Sequence, residues 1–524
     1  MYTRILNKHN LLIKFLFVII WFFLIFRITT HIDLHTNILQ LNLKRLFFSL
    51  ADFSSIIIAT GLLIYFLFCL KTYKKISITA ILIIYPIIGF TSYFIFGIKN
   101  QFQDTIIWHH FITLISAFLF FTIIENKKIF DYQFKELLLK IILLLILLYF
   151  LIYFLPTLII GLHLKQDVRI TQKIVFSIFN NQFYIEQNIN GSTRICIVLL
   201  ITSLIFFKKF IFNKEIIANL FFLIALLLIS FIFIMQSRLN IISGSIFSFF
   251  LLLTIKNLSL KKKLIYFSII LIFPLFISNI YLKQKSRFKD HVTYIDYANR
   301  FQISAKIYTD SHNSISKINY DLERNNIIKI INENEESIKN LSHQNFQILN
   351  NFIIKETKIP YFNHSRPLYL AKSFLILHSN AILSECSANL NYFDRLLTGR
   401  ICAWEILFKD IKNNNLFFGK SFFYDQLYLK YTEKTSSNSW MNILYNTGIF
   451  SLLVYLIFIF VFLIIFFKIK NINHENIYIS ISHYLFIYFL TRSLFEDTLA
   501  FVSLDFLLFF ISISIIKKTK LKNI

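Results

Sequence analysis

The sequence predicts an all-α, polytopic helical membrane protein with about 12 transmembrane helices and a large helical periplasmic loop between helices 9 and 10. Of its 524 residues, 56% are hydrophobic and 64 are Phe. Apolar runs of about 18 residues or more recur along the chain, and each could cross a hydrocarbon core about 30 Å thick. Short lysine clusters separate alternate runs, which is the positive-inside pattern of cytoplasmic loops.

Twelve spans follow from the positions of the apolar runs. They cover approximately residues 12–28, 46–70, 77–97, 106–124, 137–162, 191–207, 215–235, 238–255, 264–282, 441–467, 476–491 and 499–516. Lysine clusters follow the even-numbered spans, so both termini are expected in the cytoplasm. The chain then divides into helices 1–9 in residues 1–282, a periplasmic domain in 283–440, and helices 10–12 with a cytoplasmic tail in 441–524.

Composition also argues against several function classes. The net charge of +26 does not indicate nucleic-acid binding, because most of the lysines lie between apolar runs. Only 9 Gly and 5 Pro are present, which makes the broken helices of many transporters less expected. No Asp-x-Asp pair or Cys/His spacing suggests a metal, and no cofactor is expected.

An arginine on an apolar helix face is the first candidate site residue. The helix predicted over 393–412 has an apolar stripe, and Arg400 lies on it, four residues before Trp404. A partly buried guanidinium needs an anion or several acceptors, which suggests an anionic headgroup as ligand. A snorkelling side chain, or a salt bridge to Asp394 or Glu405, is the structural alternative.

Three further arginines lie at predicted outer ends of spans. Arg238 occupies a short outer turn, where positive anchors are not expected, so together with Arg400 it could clamp a diphosphate. Arg194 is either an anchor or a lesser member of such a site. An i,i+4 ion pair with Glu496 is the favoured explanation of Arg492.

Four features in order resemble the O-antigen ligase and O-antigen polymerase superfamily of bacterial glycan assembly. They are SRLNIISG at the mouth of the eighth span, the large loop between the ninth and tenth spans, TGRICAW followed by a glycine (TGRICAW…G), and SNSWMNILYNTGIFSLL entering the tenth span. The resemblance covers approximately residues 185–500. It implies a membrane glycosyltransferase of lipopolysaccharide biosynthesis, located in the bacterial inner membrane.

The resemblance also implies substrates and roles. The enzyme would move a glycan from an undecaprenyl-diphosphate carrier to an acceptor glycan or to the lipid A core, by an inverting and metal-independent displacement. Arg238 and Arg400 would hold the diphosphate, and Asn438 would act at the acceptor sugar. Arg194, Trp404 and Ser437 are expected to contact substrate.

One position departs from the family pattern. The family often has His-Asn before the tenth span, where the histidine is thought to activate the acceptor hydroxyl, whereas this chain has Ser437-Asn438. Serine cannot act as a base near neutral pH. Glu405, Asp425 and His378 are the candidate replacements, and the chain could also dispense with a base, use another acceptor or be inactive.

Three other function classes remain open from the sequence. A carrier-lipid flippase or other transporter would need polar residues along the membrane interior, and the spans contain few. A metal-dependent multi-span glycosyltransferase would carry acidic residues in its first outer loop. The corresponding loop here, residues 29–45, contains a single acidic residue, Asp33. A non-catalytic membrane scaffold is the third class.

The predicted topology can be tested with reporter fusions placed after Lys128, Lys263 and Lys339. We expect cytoplasmic, cytoplasmic and periplasmic signals, because the first two follow lysine clusters and the third lies in the large loop. A cytoplasmic signal at Lys339 would contradict the topology and the function that depends on it.

Overall fold

The computed structural model describes fourteen separate stretches of the chain. They are residues 2–30, 42–70, 78–96, 101–155, 159, 189–235, 238–255, 258–286, 348, 400–420, 422, 438–468, 476–500 and 502–522. Of the described residues, 87% are helical and none forms a strand. The predicted all-α class is therefore confirmed for these parts of the chain.

The described residues contain fourteen α-helices. In chain order they are α1 Tyr2–Thr30, α2 Asn42–Leu70, α3 Ile78–Ile81, α4 Ile84–Phe96, α5 Gln101–Asn126, α6 Tyr132–Tyr149, α7 Ile189–Phe210, α8 Glu215–Ile234, α9 Arg238–Leu253, α10 Leu260–Ser286, α11 Arg400–Asn414, α12 Ser439–Lys468, α13 Ile477–Arg492 and α14 Leu504–Lys522. A single π-helical turn, Phe150–Phe154, extends α6.

Within the described residues the helices follow the predicted apolar runs with several differences. The run 499–516 is helical only from Leu504, and the run 441–467 is broken at Gly448. The run 77–97 contains two helices, α3 and α4, in place of one. The loop helix predicted over 393–412 is described from Arg400 to Asn414; residues 393–399 lie outside the described part of the chain.

The chain forms two compact units. The first contains residues Met1–Phe90, Lys99–Lys289 and Ser451–Ile524, and the second contains Thr91–Ile98 and Asp290–Phe450. The first unit therefore includes nearly all the apolar helices, and the second includes α11 and the beginning of α12.

In the first unit, α1 and α6 run parallel and in register. Lys14 pairs with Asp131 at 3.4 Å. About two turns further along both helices, the Trp21 indole donates to the Leu138 carbonyl at 3.1 Å. Both pairs are separated by 117 residues in sequence. The two helices therefore begin at the same end of this unit.

Polar contacts join helix ends at that same end of the first unit. Glu125, at the end of α5, accepts hydrogen bonds from Thr79 at 2.9 Å and from Lys517 at 2.8 Å. The side chain of Lys208, at the end of α7, donates to Thr254 just after α9, at 3.0 Å. Because these contacts satisfy charged groups beside an apolar core, they hold the helix ends together.

A second set of polar contacts joins other helix ends of the first unit. Arg194 near the start of α7, Arg492 at the end of α13 and Asp505 at the start of α14 meet there. Among the contacts described in this unit, these two polar sets are separated by the apolar lengths of the helices.

Several helices of the first unit are apolar on their outward faces as well as on their packed faces. On α1, Trp21 and Leu24 are buried, whereas Leu11 and Phe15 are 71% and 61% exposed. The same arrangement recurs on α8, α10 and the second part of α12, with exposed Leu, Ile and Phe in successive turns. This exposed surface is therefore apolar over the length of several helices.

Two of the described helices are both long enough and apolar enough to cross a membrane. They are Glu215–Ile234, with a mean hydropathy of 2.9, and Ser439–Phe467, with a mean hydropathy of 3.2. Five shorter apolar helical segments accompany them: Asn10–Ile25, Ser54–Phe68, Thr79–Ile95, His110–Asn126 and Leu239–Leu253. By length and composition alone, a core helix of a soluble protein would also meet this test.

Candidate functional site

The helix that begins at Arg400 has one packed face and one exposed face. Leu407 and Ile411 are fully buried, whereas Glu405 and Lys412 are exposed. Trp404 is half-buried, one turn after Arg400. The 3–4 spacing of apolar residues that predicted the helix is therefore the spacing of its packed face.

A tight turn ends this helix. The Asn415 side chain accepts from the Phe418 amide at 3.4 Å and donates to the Gly419 carbonyl at 2.9 Å. Gly419 has φ 73°, a left-handed conformation that glycine adopts without a steric penalty. Asparagine stabilises such turns because its short amide side chain can bond to nearby backbone groups.

Asn438 caps the beginning of α12. Its side-chain oxygen accepts from the amide of Trp440 at 2.8 Å and from the amide of Met441 at 3.0 Å. These are orphan donors of the first helical turn, and asparagine is among the best residues for satisfying them. Asn438 therefore has a structural role in addition to the one expected from the sequence.

The first two turns of α12 carry buried polar side chains. Ser439, Asn442, Asn446 and Thr447 are all fully buried. The Asn446 amide donates to Asn442 at 3.0 Å, one turn earlier. The Thr447 hydroxyl likewise donates to the Ile443 carbonyl at 2.7 Å, so part of this buried polar face is satisfied within the helix.

The helix α12 breaks at Gly448, which has φ 79° and ψ 179°. The few glycines and prolines had made a broken helix less expected here, so this is a correction. The turn after α11 fills the break: the Ile449 amide donates to the Leu416 carbonyl and the Lys420 amide to the Tyr445 carbonyl, both at 2.9 Å. Backbone groups freed by the break are therefore satisfied.

Two glycines make this close approach of backbones possible. A Cβ on Gly419 would lie 2.5 Å from the backbone of Asn446, and a Cβ on Gly448 would overlap the Phe417 carbonyl. We call the contact of residues 415–420 with 445–449 the glycine interlock. Its side chains add the Tyr445 hydroxyl, which donates to Asp410 at 2.7 Å.

The interlock fixes the direction of both helices that carry candidate residues. Both α11 and the first part of α12 end at it, so Arg400 and Asn438 lie at the ends away from it. At 1.5 Å per residue, these starts are roughly 20 Å and roughly 12 Å from the interlock along their own helices.

The first unit contains a buried charge network at the start of α9. Arg194 Nε lies 3.3 Å from one Asp505 oxygen, and Arg492 Nε lies 3.4 Å from the other. Arg492 also donates to Asn240 at 2.8 Å and to the Tyr488 hydroxyl at 3.1 Å. The Asn240 amide in turn donates to Thr193 at 2.6 Å.

The candidate residues from the sequence are divided between the two units. Arg238 is the first residue of α9 and Arg400 the first residue of α11, and both side chains lie outside the described part. Ser437, Asp394, Asp425 and His378 also lie outside it. The structure brings Arg194 to Asp505, whereas the substrate contacts expected of these residues stay predictions.

Arg492 has a larger set of partners than its sequence position indicated. The favoured explanation was an i,i+4 pair with Glu496, and that carboxylate does act electrostatically on Arg492. The closest charged contact described is nevertheless with Asp505, from another helix. A long-range partner cannot be found from helical spacing.

Sequence analysis missed Asp505, Asn240 and Thr193. The signal for Asp505 is an acidic residue in an otherwise apolar stretch, LDFLLFF, since such residues are costly unless paired. No comparable signal marks Asn240 or Thr193, because asparagine and threonine are common throughout this chain. Within the described residues, no three His, Cys, Asp or Glu side chains come together as a metal site.

Comparisons of the chain with protein-family models, with curated proteins and with solved structures find no match in any of the three.

The glycine interlock predicts a sharp difference between two glycine-to-alanine substitutions. Gly448→Ala should lower the free energy of unfolding by about 3 kcal/mol or more, since it combines a strained φ with backbone overlap. Gly61→Ala is the matched control: a Cβ there meets nothing within 4 Å, so the change should be neutral or stabilising by up to about 1 kcal/mol. Thermal unfolding of detergent-purified protein measures both, and equal melting temperatures for the two variants would contradict the interlock.

Proposed function

We propose that the chain is a twelve-span protein of the bacterial inner membrane, with both termini in the cytoplasm and residues 283–440 on the opposite side. The exposed apolar faces of α1, α8, α10 and α12 support this, because a helix face in contact with water is normally polar. An apolar surface that extends over several helices fits lipid better than water.

The direction of the helices gives a second line of support. Under the proposed topology α1 and α6 are the first and fifth spans and should run parallel, as they do. The contacts of Glu125 with Lys517 and of Lys208 with Thr254 join helix ends assigned to the cytoplasmic side. Arg194, Arg492 and Asp505 belong to ends assigned to the outer side.

We infer further that the protein is a metal-independent, inverting glycosyltransferase of the O-antigen ligase or polymerase type. Its donor would be a glycan on undecaprenyl diphosphate, and its acceptor another glycan or the lipid A core. The observation that carries this proposal is the glycine interlock, because it joins the two motifs of the resemblance that lie in the second unit, TGRICAW…G and SNSWMNILYNTG.

The proposed chemistry needs little beyond charge and position. The acceptor hydroxyl attacks the anomeric carbon and its proton passes to a carboxylate or to water, while the bond from that carbon to the diphosphate breaks and negative charge develops on the leaving group. Arg238 and Arg400 would stabilise that charge through paired donors. Among the three candidate bases, Glu405 alone lies within the described residues, exposed on the same helix as Arg400.

The break in α12 favours one alternative, a flippase for the carrier-linked glycan. Transporters place substrate at discontinuous helices, where unwound backbone groups can bind it. In this chain the turn after α11 already fills the break. Because these backbone groups already have protein partners, the break offers no free backbone groups there to a transported substrate, which supports a transferase over a flippase.

Glycan profiles of a deletion strain test the proposed function. A ligase mutant should accumulate polymer on the carrier, a polymerase mutant should leave single repeats, and a flippase mutant should accumulate substrate on the cytoplasmic side. An unchanged glycan profile would favour a non-catalytic scaffold and contradict the proposal.

Replacement of either arginine that is proposed to bind the diphosphate should nearly abolish glycan transfer. We expect Arg238→Ala and Arg400→Ala to retain normal protein levels in the membrane, with transfer reduced by at least about a hundredfold. Lysine should restore little, because it lacks the paired planar donors. Lys412→Ala is the control for loss of a positive charge, since Lys412 is exposed near the end of the same helix; full activity in Arg400→Lys would contradict bidentate binding.

The capping geometry allows the two roles of Asn438 to be separated. Asp caps helices about as well as Asn but cannot donate a hydrogen bond when ionised. We expect Asn438→Asp to retain the melting temperature and to lose most transfer, whereas Asn438→Ala should lose both. Ser437→Ala should keep most activity, because at most one hydrogen bond of about 0.5–1.5 kcal/mol is lost. Full transfer by Asn438→Asp would show that Asn438 acts only as a helix cap and contradict its proposed contact with the acceptor.

A further inference from the structure

The geometry points to a positioning role for the buried charge network of the first unit, and we propose that Asn240, Arg492 and Asp505 hold Arg238 in place for the diphosphate. This inference rests on the proposed function, because it assigns Arg238 to the carrier. The three network residues would not contact the substrate themselves but would act through the position of Arg238.

The network acts on the first turn of α9. Asn240 is two residues after Arg238, and it is 1% exposed. Its side-chain oxygen accepts from Arg492 at 2.8 Å, while its amide donates to Thr193 at 2.6 Å. Bonds from two different helices, α13 and α7, therefore fix both the rotation and the height of the helix start.

Asp505 contacts Arg492, which in turn donates to Asn240. The two Asp505 oxygens contact Arg492 and Arg194, and Asp505 is 1% exposed. Buried charges are stable only when paired and hydrogen-bonded, so each member of this network requires the others. The Tyr488 hydroxyl completes the set by accepting from Arg492 at 3.1 Å.

The same contacts argue against a direct role in binding the diphosphate. The Nη1 group of Arg492 donates to both Asn240 and Tyr488, its Nε lies 3.4 Å from Asp505, and the residue is 3% exposed. Arg194 shares the same carboxylate. We therefore assign Arg194 a positioning role through Asp505, and its expected substrate contact stays a prediction.

A small displacement of Arg238 would be costly to the reaction. Bidentate contacts to phosphate depend on the position and plane of the guanidinium, and a misplacement of about 1 Å can reduce a rate by about a hundredfold. Loss of the Asn240 contacts removes the hydrogen bonds that join the first turn of α9 to α7 and α13.

The test is a double-mutant cycle between Asn240→Leu and Arg238→Ala, read out as the dissociation constant for undecaprenyl diphosphate in detergent. Alone, Asn240→Leu should weaken binding by about tenfold. In the Arg238→Ala background it should change binding by less than about twofold, because a residue that acts only through Arg238 has nothing left to position. A further tenfold loss in that background would overturn the inference.

A second variant and a control cover the possibility that Asn240→Leu does not fold. Thr193→Val keeps the shape and removes one hydrogen bond, and it should weaken binding by about threefold, again only when Arg238 is present. Ser248→Ala removes a fully buried hydroxyl from the same helix, whose partner is the Gly244 carbonyl, and should leave binding unchanged.

Steady-state kinetics give a second readout that a general loss of structure would not produce. In the two network variants, the KM for the carrier-linked donor should rise while the KM for the acceptor stays within about twofold. If wild-type protein does not bind undecaprenyl diphosphate, the proposed function fails and the positioning role fails with it. If wild-type protein and both network variants bind equally well, only the positioning role is wrong.

Discussion

The contact of one buried carboxylate with two arginines organises the end of the first unit at which α7, α9, α13 and α14 meet. Asp505 contacts Arg194 and Arg492, and Arg492 extends the contact to Asn240 and Tyr488. Apolar helices alone can slide or rotate against one another with little penalty, because Leu, Ile and Phe pack in many registers. A buried ion network permits one arrangement, since any shift leaves a charge without its partner.

The second unit obtains a defined arrangement by a different means. Its glycine interlock depends on the absence of side chains, so that one turn of backbone can fill the gap in a broken helix. Hydrogen bonds between backbone groups then replace those that the break removed. Charge pairing orders one unit and close backbone approach orders the other, and each places a proposed diphosphate arginine at the start of a helix.

The helices could be predicted from the sequence because their apolar runs are long and uninterrupted. The loop helix predicted over 393–412 is described from Arg400 to Asn414, and Leu407 and Ile411 of its apolar pattern are buried, whereas Phe408 is exposed. The break at Gly448 could not be predicted, because it depends on a turn some thirty residues earlier that lies against it. The split of the third apolar run into α3 and α4, by contrast, has a local signal in Pro86, which has no amide to bond to the Leu82 carbonyl one turn earlier.

The candidate site was predictable only in part, for a related physical reason. Arg238 and Arg400 stand out because a charge in an apolar pattern is conspicuous, whereas the partners of Arg492 are separated from it in sequence. Asn240 precedes Arg492 by 252 residues, and nothing in the local pattern links the two. The position of Asn438 just before a predicted helix also indicates a capping role, whereas the sequence analysis assigned its amide only to the acceptor sugar.

The distance in sequence between Glu125 and Lys517 has a consequence for how the protein is made. The two side chains are 392 residues apart and meet at 2.8 Å in the finished molecule. At about 5–20 residues per second, a ribosome needs from about 20 to about 80 seconds to supply the second partner. During that interval Glu125 has no Lys517, and a carboxylate is stable only in water or with a partner. Thr79 precedes Glu125 in the chain and donates to it at 2.9 Å, so until Lys517 is made the carboxylate depends on that hydroxyl and on water.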